Sequence, residues 1–301
     1  MGKQLKKTGF IKIKGRLTRY LPLYVLAAPA IILMIIYRYL PMGGLYLSFT
    51  DYSAGMKLQN IEWVHFKWFA RMFSNGEFLQ VLLNTVYLSL LKLIFSFPAP
   101  IILAILLNEI RRSIQTVLYL PHFLSWTILA GILFTLLSPQ TGIVKYFGVT
   151  QSIFLSSSAF RPILVISDIW KDTGWGTILY LAAISSISPE YYEAAMLDGA
   201  SRFQRIWYIT IPCIANTIIV LLILKVGTIL DAGFDQVFML YNSAVYDVAD
   251  ILDTYVYRIG LFQGNFGLAT AAGMFKSVVG LILVILTNKA AKLIDKEAGI
   301  L

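Results

Sequence analysis

The chain has 301 residues, of which 58% are hydrophobic and 14% are charged. A soluble domain usually carries about 25% charged and about 45–50% apolar residues, so the composition excludes an ordinary soluble protein and predicts a multi-spanning membrane protein. The formal net charge is +9, and much of the positive charge lies in residues 1–20. This segment is predicted to be a basic cytoplasmic tail that lies beside anionic lipid. A nucleic-acid partner, which needs a basic face on a folded domain, is therefore not expected.

Six segments are long and apolar enough to cross a bilayer, which takes about 20 residues. The first, within residues 21–49, begins after the basic tail and continues past its small residues, which indicates an uncleaved signal anchor rather than a cleaved signal peptide. The predicted spans lie at residues 21–40, 79–107, 113–137, 161–186, 208–231 and 266–288.

The loops between these spans differ in composition. Residues 50–78 form a predicted external loop with a short interfacial helix, because four aromatic residues cluster there, namely Trp63, Phe66, Trp68 and Phe69. Residues 79–288 form a core of five spans, and 289–301 form a C-terminal tail. Basic residues concentrate in the two tails and in the loops near 111 and 202, so the positive-inside rule predicts that both termini are cytoplasmic.

Motifs for enzyme or metal chemistry are missing from the sequence. Cys213 is the only cysteine, which excludes an intrachain disulfide, and His65 and His122 match no metal-ligand spacing. There is no phosphate-binding loop, no H-E-x-x-H pair and no nucleophile elbow. We therefore expect a chain that is not an enzyme, with no cofactor or metal of its own.

The loop from Ser188 to Pro212 holds the most informative pattern in the chain. Ser188 is a predicted N-cap with Pro189 at the first helical position, and Gly199 can adopt the left-handed conformation that ends a helix. Ser201 followed by Gln204 is a capping-box pattern that starts a second helix. The apolar residues of these two short helices either pack on the protein's own spans or dock on a soluble subunit; they are Tyr192, Ala195, Met196 and Phe203.

This loop resembles the signature of binding-protein-dependent ABC importer permeases: E-A-A, three residues, G, nine residues, then I-x-L-P. The departure is Ile211, where the family usually has leucine. The chain more loosely resembles the sugar-importing, LplB-like polysaccharide branch at residues 37–41 and 253–258. In this chain the residues assigned to coupling with the ATPase are Glu193, Ala194, Ala195, Asp198, Gly199, Ile209 and Pro212.

The resemblance implies an all-α polytopic protein with six transmembrane helices, the MetI-like transmembrane domain of a type I ABC importer. In such permeases the loop is a coupling helix that sits in a groove of the ATPase. Glu193 would pair with a basic residue of that subunit, Ala194 and Ala195 would allow close approach, and Gly199 would set the docking angle. The implied partners are a second permease subunit in a heterodimer, two ATPase subunits that bind ATP and Mg, an extracytoplasmic solute-binding protein, an oligosaccharide and membrane lipid, in the bacterial cytoplasmic membrane.

Charged residues within spans are costly and are therefore candidates for function. Beside aromatic faces they would suit a sugar, and several lysines raise the possibility of an acidic oligosaccharide. The alternative is that they pair with one another, for example Asp168 with Lys171. Two further functions stay open: a permease of this family for another solute, and a self-sufficient secondary transporter. The candidate cavity residues are Lys92, Trp170, Lys171, Asp172, Trp175, Lys225 and Lys276.

Overall fold

A computed structural model describes residues 20–108 and 112–294 of the chain. The predicted basic tail and most of the C-terminal tail lie outside the described residues. The helices, in chain order, are α1 (Tyr20–Phe49), α2 (Lys67–Ser74), α3 (Gly76–Phe95), α4 (Pro98–Leu107), α5 (Arg112–Tyr119), α6 (Trp126–Leu136), α7 (Ser157–Ser185), α8 (Pro189–Leu197), α9 (Arg202–Cys213), α10 (Ala215–Gly227), α11 (Phe234–Leu240), α12 (Tyr246–Ala249), α13 (Leu252–Tyr257) and α14 (Phe266–Ile294).

Three of the described helices are long and apolar enough to cross a membrane: Tyr20–Phe49, Gly76–Leu107 and Phe266–Leu293. Two bent pairs raise the number to five if each pair forms one span. The 29-residue α7 is also long enough, but it carries Asp168, Lys171 and Asp172 near its middle. Those charges lower its apolar character, so a count of six spans stays a prediction.

The two bent pairs fall in the segments where single straight spans were predicted. Thr116–Phe123 and Trp126–Leu136 meet at 103°, where Ser125 caps α6 by accepting a hydrogen bond from the Ile128 amide at 3.3 Å. The helix α9 meets α10 at 61°. The predicted span at 208–231 thus begins inside α9, and the second short helix of the loop continues directly into it.

The buried residues form three clusters. One joins α2, α3, α13 and α14, and includes Phe78 and Tyr255. A second joins α3, α6, α7 and α11 around Phe160 and Leu164. A third packs α4 and α7 against Ile214 at the α9–α10 bend. Large apolar side chains on the outer helix faces are exposed, as expected where lipid rather than protein covers them.

The first helix lies at the edge of this arrangement. Most of α1 is exposed, and its C-terminal part packs on α14, where the Ser48 hydroxyl lies 3.7 Å from the Met274 sulfur. After it, α2 forms the short helix predicted in the 50–78 loop. Trp68 is buried and its indole N–H donates to the Thr50 carbonyl at 2.8 Å, whereas Trp63 and Phe66 are exposed. The loop therefore holds one buried aromatic anchor and two outward-facing rings.

Candidate functional site

The 188–212 loop has the local structure that its sequence predicts. The Ser188 hydroxyl accepts from the Glu190 amide at 3.4 Å, and α8 is followed by Gly199 in a left-handed conformation, with φ of +76°. Ser201 and Gln204 form a complete capping box, with hydrogen bonds of 2.7 and 3.4 Å. The caps satisfy backbone groups that would otherwise be unpaired at the helix ends, so two short helices and the turn between them are fixed by residues close in sequence.

The loop presents one face to the protein and one to its surroundings. The Tyr192 hydroxyl lies 3.0 Å from the Thr210 hydroxyl, and Ala195 is half-buried. In contrast, Met196 and Phe203 are exposed, and so is Glu193. Two of the four apolar residues thus pack inward, whereas the other two, like the acidic Glu193, are exposed.

A cavity of about 300 Å³ lies between α4, α7 and α10. Its walls include Asp172, Trp175 and Lys225 from the predicted set, together with Ser96 and Thr173. The hydroxyl oxygens of Ser96 and Thr173 have no hydrogen-bond partner among the described residues. Both oxygens are buried behind the cavity surface, so they are exceptions to the rule that buried polar groups are paired.

A stacked aromatic pair forms part of the cavity wall. The His122 ring lies parallel to the Trp175 indole, with centroids 4.8 Å apart and planes 5° apart. The Asp172 carboxylate holds the imidazole through its Nδ1 at 3.0 Å, and Phe123 packs edge-on to the indole at 6.0 Å. The arrangement fixes the orientation of Trp175, which remains 47% exposed and can offer its surface to a ligand.

Lys92 belongs to a buried polar network; it does not line the inner cavity, although it borders a crevice of about 20 Å³ beside Lys225. Its ammonium group lies 2.9 Å from the Asp168 carboxylate and donates to Gln236 Oε1 at 2.6 Å and to the Ala232 carbonyl at 2.9 Å. The Gln236 amide in turn donates to Ser167 Oγ at 2.8 Å. Asp168 forms an ion pair, as predicted by the alternative in which charged residues of the spans pair with one another. Its partner, however, is Lys92 on α3 and not Lys171 on its own helix.

Lys171 satisfies backbone groups at the break between α5 and α6. Its ammonium donates to the carbonyls of His122 at 2.7 Å and Leu124 at 2.6 Å. Carbonyls at a helix end have no intrahelical partner, and the apolar part of a bilayer offers no water to replace one. The contact therefore stabilises the sharp bend that places His122 against Trp175.

The fifth and sixth predicted spans contribute Lys225 and Lys276. Lys276 binds both carboxylate oxygens of Asp253, at 2.6 and 2.8 Å, in a cleft of about 770 Å³. Lys225 borders the inner cavity and a small crevice that also includes Asp231. Within the described residues, the structure gives the Lys225 ammonium no ion pair or hydrogen bond, so its charge is available to a ligand.

Trp170 lies apart from the other predicted cavity residues. It is 44% exposed on the α7 face opposite Asp168 and Asp172, and it borders neither the inner cavity nor the Lys276 cleft. Sequence reasoning also missed His122 as a wall residue. The two residues of the His122–Asp172 contact are 50 positions apart, and helix periodicity carries no signal for such a pairing.

An all-helical membrane protein with a capped loop and a polar cavity among its spans has the architecture expected of a membrane transport component. Residues 72–296 match the family described as binding-protein-dependent transport system inner membrane component. The chain belongs to this family. The match begins after α1, so it excludes that helix entirely, which is consistent with the peripheral position of α1.

The chain is similar over most of its length to two proteins of Bacillus subtilis (strain 168). It is 48% identical to protein LplB over 285 residues, covering 91% of this chain and 90% of LplB. It is 44% identical to the polygalacturonan/rhamnogalacturonan transport system permease protein YteP over 285 residues, covering 91% and 89% of the two chains.

The structure is also similar to a chain in the crystal structure of a bacterial ABC transporter involved in the import of the acidic polysaccharide alginate. The TM-score is 0.86 at 39% identity, over 94% of this chain and 99% of that one. A chain of the alginate transporter in complex with an alginate pentasaccharide-bound periplasmic protein gives 0.85 at 40% identity, over 94% and 98%. The fold is that of the membrane subunit of a type I ABC importer, as the sequence predicted.

Proposed function

We propose that this chain is the permease subunit of an ATP-driven importer that passes an acidic oligosaccharide across the cytoplasmic membrane by alternating access. The observation that carries the proposal is the inner cavity, where the fixed Trp175 indole and the uncommitted Lys225 ammonium border the same space. Aromatic rings stack on the apolar C–H face of a sugar, whereas a lysine pairs with a carboxylate. The two groups together suit a uronate-containing chain.

The named substrates of the relatives support the acidic class. Polygalacturonan, rhamnogalacturonan and alginate all contain sugar acids, and they are transported by proteins 39–44% identical to this chain. Of the four lysines that first suggested an acidic substrate, Lys92, Lys171 and Lys276 are bound to protein groups. The proposed recognition of negative charge therefore rests on Lys225.

The exposed face of the 188–212 loop supports coupling to a separate ATPase. Met196 and Phe203 leave an apolar surface uncovered, and Glu193 lies exposed on α8 for a basic partner residue. In this proposal the chain has no catalytic role, and two ATPase subunits bind ATP and Mg. A second permease subunit completes the cavity, a solute-binding protein delivers the sugar, and both termini are cytoplasmic.

The proposal is tested by uptake measurements with the assembled transporter in vesicles. We expect ATP-dependent uptake of an oligogalacturonate and preference for it over a neutral oligosaccharide of equal length. Lys225→Gln should lower uptake of the acidic sugar about ten- to hundredfold, because a hydrogen bond to a charged group is worth about 1.5–3 kcal/mol, and should leave the neutral sugar unaffected. Lys145→Gln is the matched control, because Lys145 is an exposed lysine outside the cavity.

Two results would contradict the proposal. Uptake that proceeds without ATP would indicate a secondary transporter. Equal uptake of neutral and acidic oligosaccharides by the unmodified transporter would remove the assigned substrate class.

A further inference from the structure

Six aromatic rings form a connected strip at the end of α10 that is remote from the 188–212 loop. The rings of this aromatic strip are Phe234, Phe238, Tyr241, Tyr246, Tyr257 and Phe262. Phe238 lies at its centre, with centroid distances of 5.2 Å to Phe234, 4.9 Å to Tyr257 and 6.0 Å to Tyr241. Tyr246 continues the strip from Tyr241 at 5.1 Å, and Phe262 continues it from Tyr257 at 5.4 Å.

The strip is only partly covered by the protein. Tyr246 is 38% and Phe262 is 75% exposed, and the four rings between them are half-buried. Phe78 and Tyr255, by contrast, form an aromatic contact deep inside the core. The strip rings are thus held in place by their neighbours and still present surface outward.

The strip leads toward the inner cavity. Phe234 and Tyr257 line the cleft of about 770 Å³ that contains Asp253 and Lys276. Asp231 borders both this cleft and the small crevice beside it, and Lys225 borders both that crevice and the inner cavity. The cleft, the crevice and the inner cavity therefore share lining residues in sequence, and a crevice of about 20 Å³ separates the cleft beside the rings from the inner cavity.

Size and chemistry both favour a sugar chain along this surface. The inner cavity, at about 300 Å³, is at the lower end of the range of about 300–1,000 Å³ for ligand pockets, so a longer oligosaccharide must extend beyond it. The strip combines ring surfaces with phenol hydroxyls. Burial, together with the neighbouring Tyr246, raises the pKa of Tyr241 to about 12, so this phenol stays protonated and can both donate and accept hydrogen bonds.

Contact with an apolar surface of another subunit is the rival use of exposed rings. The charges around the strip argue against it, because Asp231 and Asp235 are exposed beside Phe234. Charged residues are depleted in the buried centre of a protein interface. Rings beside charged and hydroxyl groups stay hydrated, which suits a polyhydroxylated ligand better than an apolar partner. The Lys276 ammonium, 3.9 Å from the Asp231 carboxylate, offsets part of the negative charge that an acidic sugar would meet.

We propose that the aromatic strip is a second sugar-binding surface, which holds the part of a long oligosaccharide that has not yet entered the inner cavity. This inference rests on the proposed sugar transport and adds to it a site that selects for chain length. Successive rings, spaced by 4.9–6.0 Å, would let the chain advance by exchanging one stacking contact for the next.

The test compares uptake of a disaccharide and of a longer oligomer of the same sugar by the complete transporter in vesicles. We expect Phe238→Ala and Tyr257→Ala each to raise the half-saturating concentration of the long oligomer roughly two- to tenfold, the value of one aromatic contact. Disaccharide uptake should be unchanged, because a disaccharide fits within the inner cavity. Tyr257→Phe, which keeps the ring, should transport both sugars as the unmodified protein does.

Two further variants separate binding from packing. Phe262→Ala removes the most exposed ring of the strip, which contributes little to the core, and should show the same length-dependent defect. Tyr146→Ala removes an 86% exposed ring elsewhere and should show none. Equal loss of uptake for both lengths, or loss of the partner subunit from the purified complex, would overturn the strip as a sugar site. Failure of the unmodified transporter to carry any oligosaccharide would instead overturn the proposed function.

Discussion

Lys92 and Asp168 show how charged side chains are accommodated inside this bundle. Both residues are buried, and the ammonium has three partners within 2.9 Å. Ions are stable in such surroundings only when paired and hydrogen-bonded. The network also ties α3, α7 and α11 together, and a Cβ at Gly233, where φ is +94°, would lie 2.9 Å from the Lys92 ammonium. We therefore assign Lys92 a structural role beside the cavity.

Replacing Lys92 tests this role. Lys92→Met leaves the Asp168 carboxylate buried without its counter-ion, and we expect the free energy of unfolding to fall by about 3–5 kcal/mol, measured by thermal denaturation of the detergent-solubilised protein. The double variant Lys92→Met/Asp168→Asn removes both charges and should be less destabilised than Lys92→Met alone. Lys57→Met, at an exposed lysine, is the control. If the double variant loses as much free energy of unfolding as Lys92→Met and Asp168→Asn lose in sum, the ion pair does not contribute to stability.

The conformation of the loop helices α8 and α9 is determined by residues that are close in sequence, and their outer face is exposed. Gly199 has φ of +76°, and a Cβ there would meet no atom within 4 Å. A substitution at this position therefore acts through backbone conformation and not through a clash. The same local geometry sets the angle between α8 and α9, on which the proposed docking to the ATPase depends.

Gly199→Val tests the importance of that angle. A left-handed conformation costs a β-branched residue about 1–2 kcal/mol, so we expect substrate-stimulated ATP hydrolysis and transport to fall about five- to thirtyfold, or the ATPase to dissociate, while the membrane subunits still insert. Gly199→Asn is the matched control, because asparagine tolerates left-handed φ. Unchanged coupling in the valine variant would contradict a docking role for the turn.

At the scale of the whole molecule, α7 determines whether the loops before and after it lie on the same side of the membrane or on opposite sides. It is long enough to cross the membrane but carries three charges near its middle, each of which has a protein partner. If it spans the bilayer, the loop before it and the loop after it lie on opposite sides. Leu197, 90% exposed after α7, and Tyr146, 86% exposed before it, provide two positions of matched accessibility.

Cysteine labelling tests this arrangement, because Cys213 is the only native thiol. In a Cys213→Ser background, a membrane-impermeant maleimide added to intact cells should modify the protein carrying Tyr146→Cys and leave Leu197→Cys unlabelled. Both should react after the membrane is opened. The reverse pattern would contradict cytoplasmic termini, whereas labelling of both variants in intact cells would show that α7 does not span.

Much of the fold follows from residues that are close in sequence. Apolar runs predict the long helices, and the caps at Ser188, Gly199 and Ser201 are correctly predicted because each hydrogen bond closes within a few residues. The bends were missed, since a break with Pro121 and Ser125 in an otherwise apolar segment does not reveal its angle. The family signature in residues 188–212 indicates the transporter class without any tertiary contact.

The composition of the cavity wall depends instead on how the spans pack. Lys92 and Gln236 are 144 positions apart, and His122 and Asp172 are 50 positions apart. For the charged residues of the spans, sequence patterns predict only pairings along one helix or contact with a substrate. Periodicity indicates which face of a helix is polar, but the neighbour and the axial position of each charge are set by packing between helices. For that reason the sequence alone was enough to determine a membrane permease with a capped helical loop at residues 188–212. The packed structure was needed to distinguish Lys225, which is available to a ligand, from lysines that stabilise the bundle.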